Sequence, residues 1–396
     1  MTQSNPAKTG LPFLPHIKQI NNMADNRINP KDIQAVLQLL SKLPKGVVIA
    51  LIVIVGIGYL VVRFGGQFKP HSGPGTKGPP GSILFCSWNA ENFFDDTDNS
   101  NIRDEMEDWY GQNPDMFQLK VDHLATGLLM MNDGAGPEII ALMEVESKRC
   151  FEALRDALNT KLDAAGLGDK KYQNILFTGD NTGRHFAPGI LTRLPVIADR
   201  TKKLGKHGNG RIVEGHIEVN GYDLTVIAAH WTSRVTDKDG DGDRRISYAH
   251  DCYGRVKAIL MENPDADVIL CGDFNDEFQD KSMQEGLNAS ADAEAVKGSA
   301  DPPKMLALLA NWSGDPKGSI YGKSHWSIFD HLCVTRGLLD DKGWSADPTS
   351  ATIFAPKEFR TGRAGTPFRF GEPKATGPRG YSDHFPVTVR LNVAGS

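Results

Sequence analysis

The chain has 396 residues, 40% of them hydrophobic and 23% charged, with a net charge of −5 and a pI near 6.1. That is ordinary globular composition with ample material for a core. The acidic balance removes the overall basic field of a nonspecific nucleic-acid binder, although a local basic groove is compatible with it. The five cysteines, Cys86, Cys150, Cys252, Cys271 and Cys333, are scattered and odd in number, which argues against a disulfide framework or a spaced zinc site.

Residues 1–45 form an N-terminal segment with one short amphipathic helix over Asp32–Leu43, where Ile33, Val36, Leu37, Leu40 and Leu43 recur at helical spacing. Residues 46–62, GVVIALIVIVGIGYLVV, are uncharged, apolar on every face and bounded by Lys45 and Arg63. Such a run rarely packs in water, so a single transmembrane helix is expected, at the short end of the usual length. It begins far from Met1 and no small-residue cleavage pattern follows it, which favours an anchor over a cleaved signal. Lys42 and Lys45 flank one end and Arg63 and Lys69 the other, so charge discriminates orientation weakly; the reading adopted puts the large C-terminal part on the extracytoplasmic side. Residues 63–81 are Gly/Pro-rich and read as a tether.

From residue 82 to 396, short apolar runs alternate with helical stretches. Strands are expected over 83–88, 138–143, 172–178, 189–192, 212–219, 224–230, 267–272, 328–335 and 385–391, and helices over 117–131, 150–162 and 248–261. Strands before, between and after helices, some as hairpin neighbours, predict an α/β sandwich with mixed sheets.

Polar residues recur where these apolar runs stop. Asn89 and Glu91 follow one run, Glu144 ends IIALME, His230 ends VIAAH with Arg234 four residues on, and Asp273, Asn275 and Asp276 follow VILCG. Asp330 stands in IFDH, and Asp383-His384 in YSDHFP. Singly each fits a turn or a satisfied core residue. Together, carboxylates, amides and two histidines gathered at one sheet edge suit a hard cation and a phosphate under hydrolysis.

The ordered segments WNAENFF, ALMEVES, AAHWTSR, CGDFND, FDHLCV and YSDHFPV resemble the endonuclease/exonuclease/phosphatase superfamily, in its deoxyribonuclease-like branch, over about residues 82–393. The resemblance implies a four-layer α/β sandwich with two packed mixed β-sheets, and Mg²⁺-dependent phosphoester hydrolysis with Mn²⁺ as the alternative ion. It implies that Glu144 is the principal metal ligand with Asn89 beside it and Asp383 in support. Asp273 and Asn275 would orient the attacking water and hold the phosphate, His384 would be the essential histidine paired with Asp330, and His230 the second histidine at the phosphate. Arg234 could extend the phosphate clamp or form a surface ion pair. The segment around Arg184, His185 and Arg193 is too divergent to assign, and residues 237–243 imitate half of a calcium loop but lack its twelfth-position Glu. The resulting expectation is a single-pass membrane phosphodiesterase acting on nucleic acid. A lipid phosphodiesterase of sphingomyelinase type and a non-catalytic phosphate binder are the alternatives, and no protein partner is predicted.

Overall fold

The computed structural model describes residues 81–97, 104–179, 183–205, 210–235 and 242–395. The amphipathic stretch, the 46–62 span, nearly all of the tether and residues 237–241 of the Asp/Gly loop lie outside them. Among the described residues no helix is long and apolar enough to cross a membrane.

In chain order the main elements are β1 (Ile83–Phe93), α1 (Glu105–Gln112), α2 (Pro114–Leu129), β2 (Ile139–Val145), α3 (Lys148–Ala164), β3 (Asn174–Phe177), β4 (Ala187–Thr192), β5 (Lys202–Lys203), β6 (Ile212–Val219), β7 (Tyr222–His230), α4 (Asp243–Glu262) and β8 (Asp267–Asp273). They continue with β9 (Ala289–Ser290), α5 (Ala293–Lys297), β10 (Met305–Ala307), the hairpin β11 (Ile320–Gly322) and β12 (His325–Ser327), and β13 (Asp330–Val334). The last are β14 (Trp344–Ile353), β15 (Arg360–Thr361), β16 (Thr366–Pro367) and β17 (Val387–Val393). Two mixed sheets result. One has the order β14-β17-β1-β2-β4-β3 and the other β5-β6-β7-β8-β13-β10-β9.

Each parallel pair is bridged by helix. β1 and β2 run parallel with α1 and α2 between them, and β7 and β8 run parallel with α4 between them. A parallel pair needs such a crossover, because a tight turn reverses the chain. Alternation along the central strands shows what lies on either face. Val226, Ala228, Ile269 and Cys271 point into the larger core, shared with Trp88, Leu142 and Val389 of the first sheet. Ile227, Ala229, Val268 and Leu270 point the other way, onto Ala249, Cys252 and Val256 of α4. The sheets therefore pack face to face, with α4 outside the second and α2 and α3 packed on the first.

The expected elements are present with shifted ends. The sequence reading omitted the short elements β5, β9, α5, β10, β11, β12, β15 and β16, and the two longer ones α1 and β14. Of these last two, the first is short and mostly polar, EMEDWYGQ, held at its start by Asp104, whose carboxylate accepts from the Met106 N–H at 2.9 Å. The second is a half-exposed edge strand, WSADPTSATI, whose Pro348 and irregular register suit an edge and spoil the apolar alternation.

Candidate active site

Strand register assembles the site. Across the second sheet, His230 at the end of β7 stands beside Asp273 at the end of β8, which stands beside Asp330 at the start of β13. On the facing sheet β1 supplies Asn89 and β2 supplies Glu144. His384 comes from the loop before β17, and its carbonyl accepts from the Trp88 indole N–H at 2.9 Å. The sequence-predicted catalytic and metal residues thus gather at one end of the two packed sheets.

Asp273 is the centre. Its Oδ2 accepts from the Asn89 amide at 3.0 Å and lies 3.7 Å from His230 Nε2 and 3.8 Å from His384 Nε2. Asn89 also donates to Glu144 Oε1 at 3.1 Å, while its own oxygen accepts from the Glu91 N–H at 2.9 Å, an arrangement that fixes which way the amide faces. Glu144 Oε2 accepts from the Asn92 N–H at 2.8 Å, and His230 Nε2 lies 3.8 Å from Oε1. Opposite, His384 Nδ1 donates to Asp330 Oδ2 at 2.7 Å; a carboxylate only accepts, so the proton on that side belongs to histidine.

The backbone is bent to present these groups. Glu91, Asn92, Glu144 and Asn275 all have positive φ, between 52° and 59°. Side chains rarely adopt that conformation, and its concentration here is the kind of local strain that functional sites retain. Gly272 has φ +139°, and a Cβ on it would fall 1.8 Å from the Ala229 carbonyl oxygen, so only glycine lets β8 come this close to β7 beside Asp273.

Electrostatics separate the two histidines. Burial works against a charge on His384, but Asp330, Asp273 and Asp383 outweigh it and raise its pKa well above the ordinary imidazole value. For His230 burial prevails over the attraction of Glu144, and its pKa falls to about 4. One imidazole is held charged and the other neutral at pH 7. Burial pushes Asp273 up to about 7 against the pull of His384. Burial works against the charge on Glu144, but the Asn92 N–H, the Asn89 amide and the field of charged His384 hold its pKa down.

The donor set fits a hard divalent cation. Glu144 and Asp273 offer carboxylate oxygens, each oxygen of Glu144 accepts one hydrogen bond and keeps a lone pair, and the Glu144 side chain is 20% exposed. Asp383 stands in the same electrostatic neighbourhood, where burial and then Glu91 push it up to about 6. A separate buried group, Asp95, Glu146 and Cys150, brings donor atoms within 4.8 Å of one another. Burial, with Asp95 and Glu107 beside it, pushes Glu146 there up to about 8, a carboxyl that keeps its proton among acidic neighbours.

Arg234 is committed elsewhere. Its guanidinium donates to the Asn275 carbonyl at 2.8 Å and to Asp276 at 3.0 Å, pairs with Asp280 and lies over the Phe329 ring. It holds the loop after β8. Asp276 serves the same loop, accepting from Arg245 at 2.8 Å and Ser282 at 2.6 Å. Asn275 is tied down by its side-chain amide to the Trp231 carbonyl at 3.1 Å and by its N–H to Asp273 Oδ1 at 2.9 Å. Arg184 donates to Asn92 Oδ1 at 2.7 Å and pairs with Asp104, and Arg193 is spent on the carbonyls of Ala135, Gly136 and Pro137.

Three residues went unassigned in the sequence reading. Glu91 and Asp383 share Arg369, whose Nε donates to Glu91 Oε1 at 2.9 Å while Nη2 lies 3.3 Å from Asp383 Oδ2. Lys120 of α2 is wholly buried beneath them. Its signal was available: helical spacing from Phe117 through Val121 and Leu124 puts a lysine on an apolar face. Arg369 lies in a loop without periodicity and offered no such signal.

The profile of the Endonuclease/Exonuclease/phosphatase family matches residues 194–393. No curated protein matches the chain. Similar solved structures include a mannosyl-6-phosphatase of Bacteroides thetaiotaomicron, with 15% identity over 78% of this chain and 99% of that one and a TM-score of 0.47. A beta toxin variant of Staphylococcus aureus with bound magnesium ions has 13% identity, the same coverages and a TM-score of 0.47. Sphingomyelinase C of Streptomyces griseocarneus has 15% identity over 78% and 99%, with a TM-score of 0.46. The matched span takes in His230, Asp273, Asp330 and His384, and the chain belongs to the endonuclease/exonuclease/phosphatase family.

Proposed function

We propose that this protein is a membrane-anchored, Mg²⁺-dependent phosphodiester hydrolase of nuclease-like specificity. The observation that supports it best is the row His230–Asp273–Asp330 facing Glu144 and Asn89, with a charged His384 bonded to Asp330. Glu144, with Asp383 in support, would hold the ion, while Asn89, whose NH2 faces Glu144 and Asp273 and whose oxygen is taken by the Glu91 N–H, orients the two carboxylates in place of the ligand role expected of it. When bound, Mg²⁺, or Mn²⁺ in its place, supplies positive charge against the phosphate oxygens.

The remaining work falls to side chains. Asp273, with its pKa near neutrality, is suited to take a proton from the attacking water, and the Asn89 side-chain amide and the Asn275 backbone N–H fix the orientation of its carboxylate. His384, held charged, faces the negative charge that develops on the phosphoryl oxygens and has a proton to give the leaving oxygen. Neutral His230 offers a hydrogen bond to the phosphate without drawing Glu144 or Asp273 into a tight ion pair.

Nucleic acid is favoured over lipid by the surface. Among the described residues the large exposed hydrophobic side chains, Tyr222, Val235, Met261 and Tyr321, stand singly on separate elements, with no contiguous apolar face to enter a bilayer. Residues 46–62 are the proposed anchor and residues 63–81 the proposed tether, with the catalytic domain on the extracytoplasmic side in our reading. The test is a panel with the full-length chain and Mg²⁺: plasmid DNA, RNA, sphingomyelin vesicles and inositol polyphosphates. Nicking of plasmid or cleavage of RNA is the expected result; turnover of sphingomyelin alone would replace the nuclease reading with the lipid one.

A further inference from the structure

Beneath the acidic edge of the site lies a buried lysine. Lys120 is fully buried on the apolar face of α2, and no described carboxylate lies within 4 Å of its Nζ. The ammonium donates to the Tyr381 carbonyl at 2.8 Å and sits 4.7 Å from the centre of the Phe370 ring. One turn on, His123 Nδ1 donates to the Gly380 carbonyl at 2.7 Å. A helix thus grips two consecutive carbonyls directly before Ser382-Asp383-His384.

Beyond that grip the turn is also held at Gly380, Tyr381, Ser382 and His384. Gly380 and Tyr381 donate their N–H groups to the Arg369 and Phe368 carbonyls, each at 2.7 Å. Ser382 donates to the Asn89 carbonyl at 2.6 Å and accepts from the His384 N–H at 3.1 Å. The chain runs straight from this gripped pair into Ser382, whose hydroxyl is bonded to both the Asn89 carbonyl and the His384 N–H, so a displacement at residues 380 and 381 is passed through the backbone to His384. A buried ammonium with one carbonyl acceptor and a ring face is expensive to keep, and a methionine of similar length would fill the space. Burial pulls the Lys120 pKa down to about 8, and the field of Glu91, Asp383 and Glu144, all acidic groups of the site, works against that and favours the charge.

We propose that Lys120, assisted by His123, is a positioning residue of this site: it holds the 380–381 backbone so that Asp383 and His384 meet the substrate, and its charge offsets the carboxylates clustered there. The inference rests on the phosphoesterase reading of the site. It concerns a residue that touches neither substrate nor metal.

The test compares the full-length wild type with Lys120→Met and Lys120→Arg, using bis-p-nitrophenyl phosphate and Mg²⁺. Lys120→Met loses kcat by roughly 30-fold or more with KM within about 2-fold, and Lys120→Arg recovers most of it, because charge and donor are restored. Wild-type kcat in Lys120→Met, a change confined to KM, or an Arg variant no better than the Met one would overturn the proposal. If Lys120→Met does not fold, His123→Leu and His123→Asn decide the question. A kcat loss in Leu that Asn repairs supports the clamp, and equal rates refute it. A wild type without turnover counts against the phosphoesterase reading; the positioning role is then judged by the downfield proton resonance of the His384–Asp330 hydrogen bond. That signal shifts or vanishes in Lys120→Met, or in His123→Leu where the Met variant is unfolded, if the clamp holds His384, and stays unchanged if it does not.

Discussion

His384 Nδ1 and Asp330 Oδ2 are 2.7 Å apart in a site where both residues are almost fully buried. The bond directs the remaining ring nitrogen towards Asp273 and keeps the imidazolium favoured despite its burial. Replacing Asp330 by Asn keeps the shape and removes the charge. Steady-state kinetics should then show kcat reduced by about 10²–10⁴-fold, the range for a displaced general acid–base group, with KM little changed. A variant within a few-fold of wild type would detach Asp330 from the chemistry.

Arg234 distinguishes a clamp on the phosphate from a clamp on the loop. Since its guanidinium is bound to Asn275, Asp276 and Asp280, Arg234→Ala should lower kcat by about 10-fold through a loosened Asn275, with KM within about 2-fold. A large rise in KM with kcat unchanged would return Arg234 to direct substrate contact.

Gly272 carries a structural prediction. A Cβ there meets the Ala229 backbone oxygen in a conformation already closed to other residues, so Gly272→Ala should cost on the order of 3 kcal/mol and separate β7 from β8 at the site. Denaturant unfolding measures the first effect, and loss of activity in the folded fraction the second. Wild-type stability in Gly272→Ala would show that the two strands can part without cost.

The second sheet also carries a buried ion cluster remote from the catalytic row. His216 lies between Asp223, at 3.0 Å, and Glu214, at 3.1 Å, and Glu214 also accepts from Arg255 at 2.5 Å. Burial disfavours charge on His216, but the two carboxylates prevail and raise its pKa. A raised histidine pKa contributes stability that is fully present below the unfolded value of about 6.5 and is lost as pH rises through the folded value. Glu214 is depressed, since Arg255, His216 and Lys202 exceed the cost of burial, so its contribution is present above about 4.5 and lost as pH falls. The melting temperature of the wild type should therefore decline from about pH 6.5 upward more steeply than that of His216→Gln. Parallel curves would mean that the imidazole gains nothing from its neighbours.

Much of this could be read from the residues. Apolar runs ending in Asn89, Glu144, His230 and Asp273 gave away both the strands and their polar ends, because a buried strand in a mixed sheet is a continuous apolar stretch and its last residue is where a site can begin. Register was not legible: nothing local says that His230 and Asp330 both flank Asp273, since pairing depends on strands far apart in sequence. Arg234 shows the same limit from the other side. Its spacing after His230 suggested a shared target, yet the chain turns and sends the guanidinium to Asp276. Lys120 was visible as a cation on an apolar helix face, but its acceptor lies 261 residues away. The 46–62 segment keeps its reading from composition alone, since it lies outside the described residues.

The central claim is that Glu144 and His384 act in one metal-assisted phosphodiester hydrolysis. The most direct measurement is the rate of bis-p-nitrophenyl phosphate hydrolysis by the full-length wild type with Mg²⁺, with Mg²⁺ plus excess chelator, and by folded Glu144→Ala and His384→Ala. The account predicts turnover in the first case alone, with losses of at least about 10²-fold in the other three. Wild-type turnover that survives chelation and the loss of either side chain would contradict it.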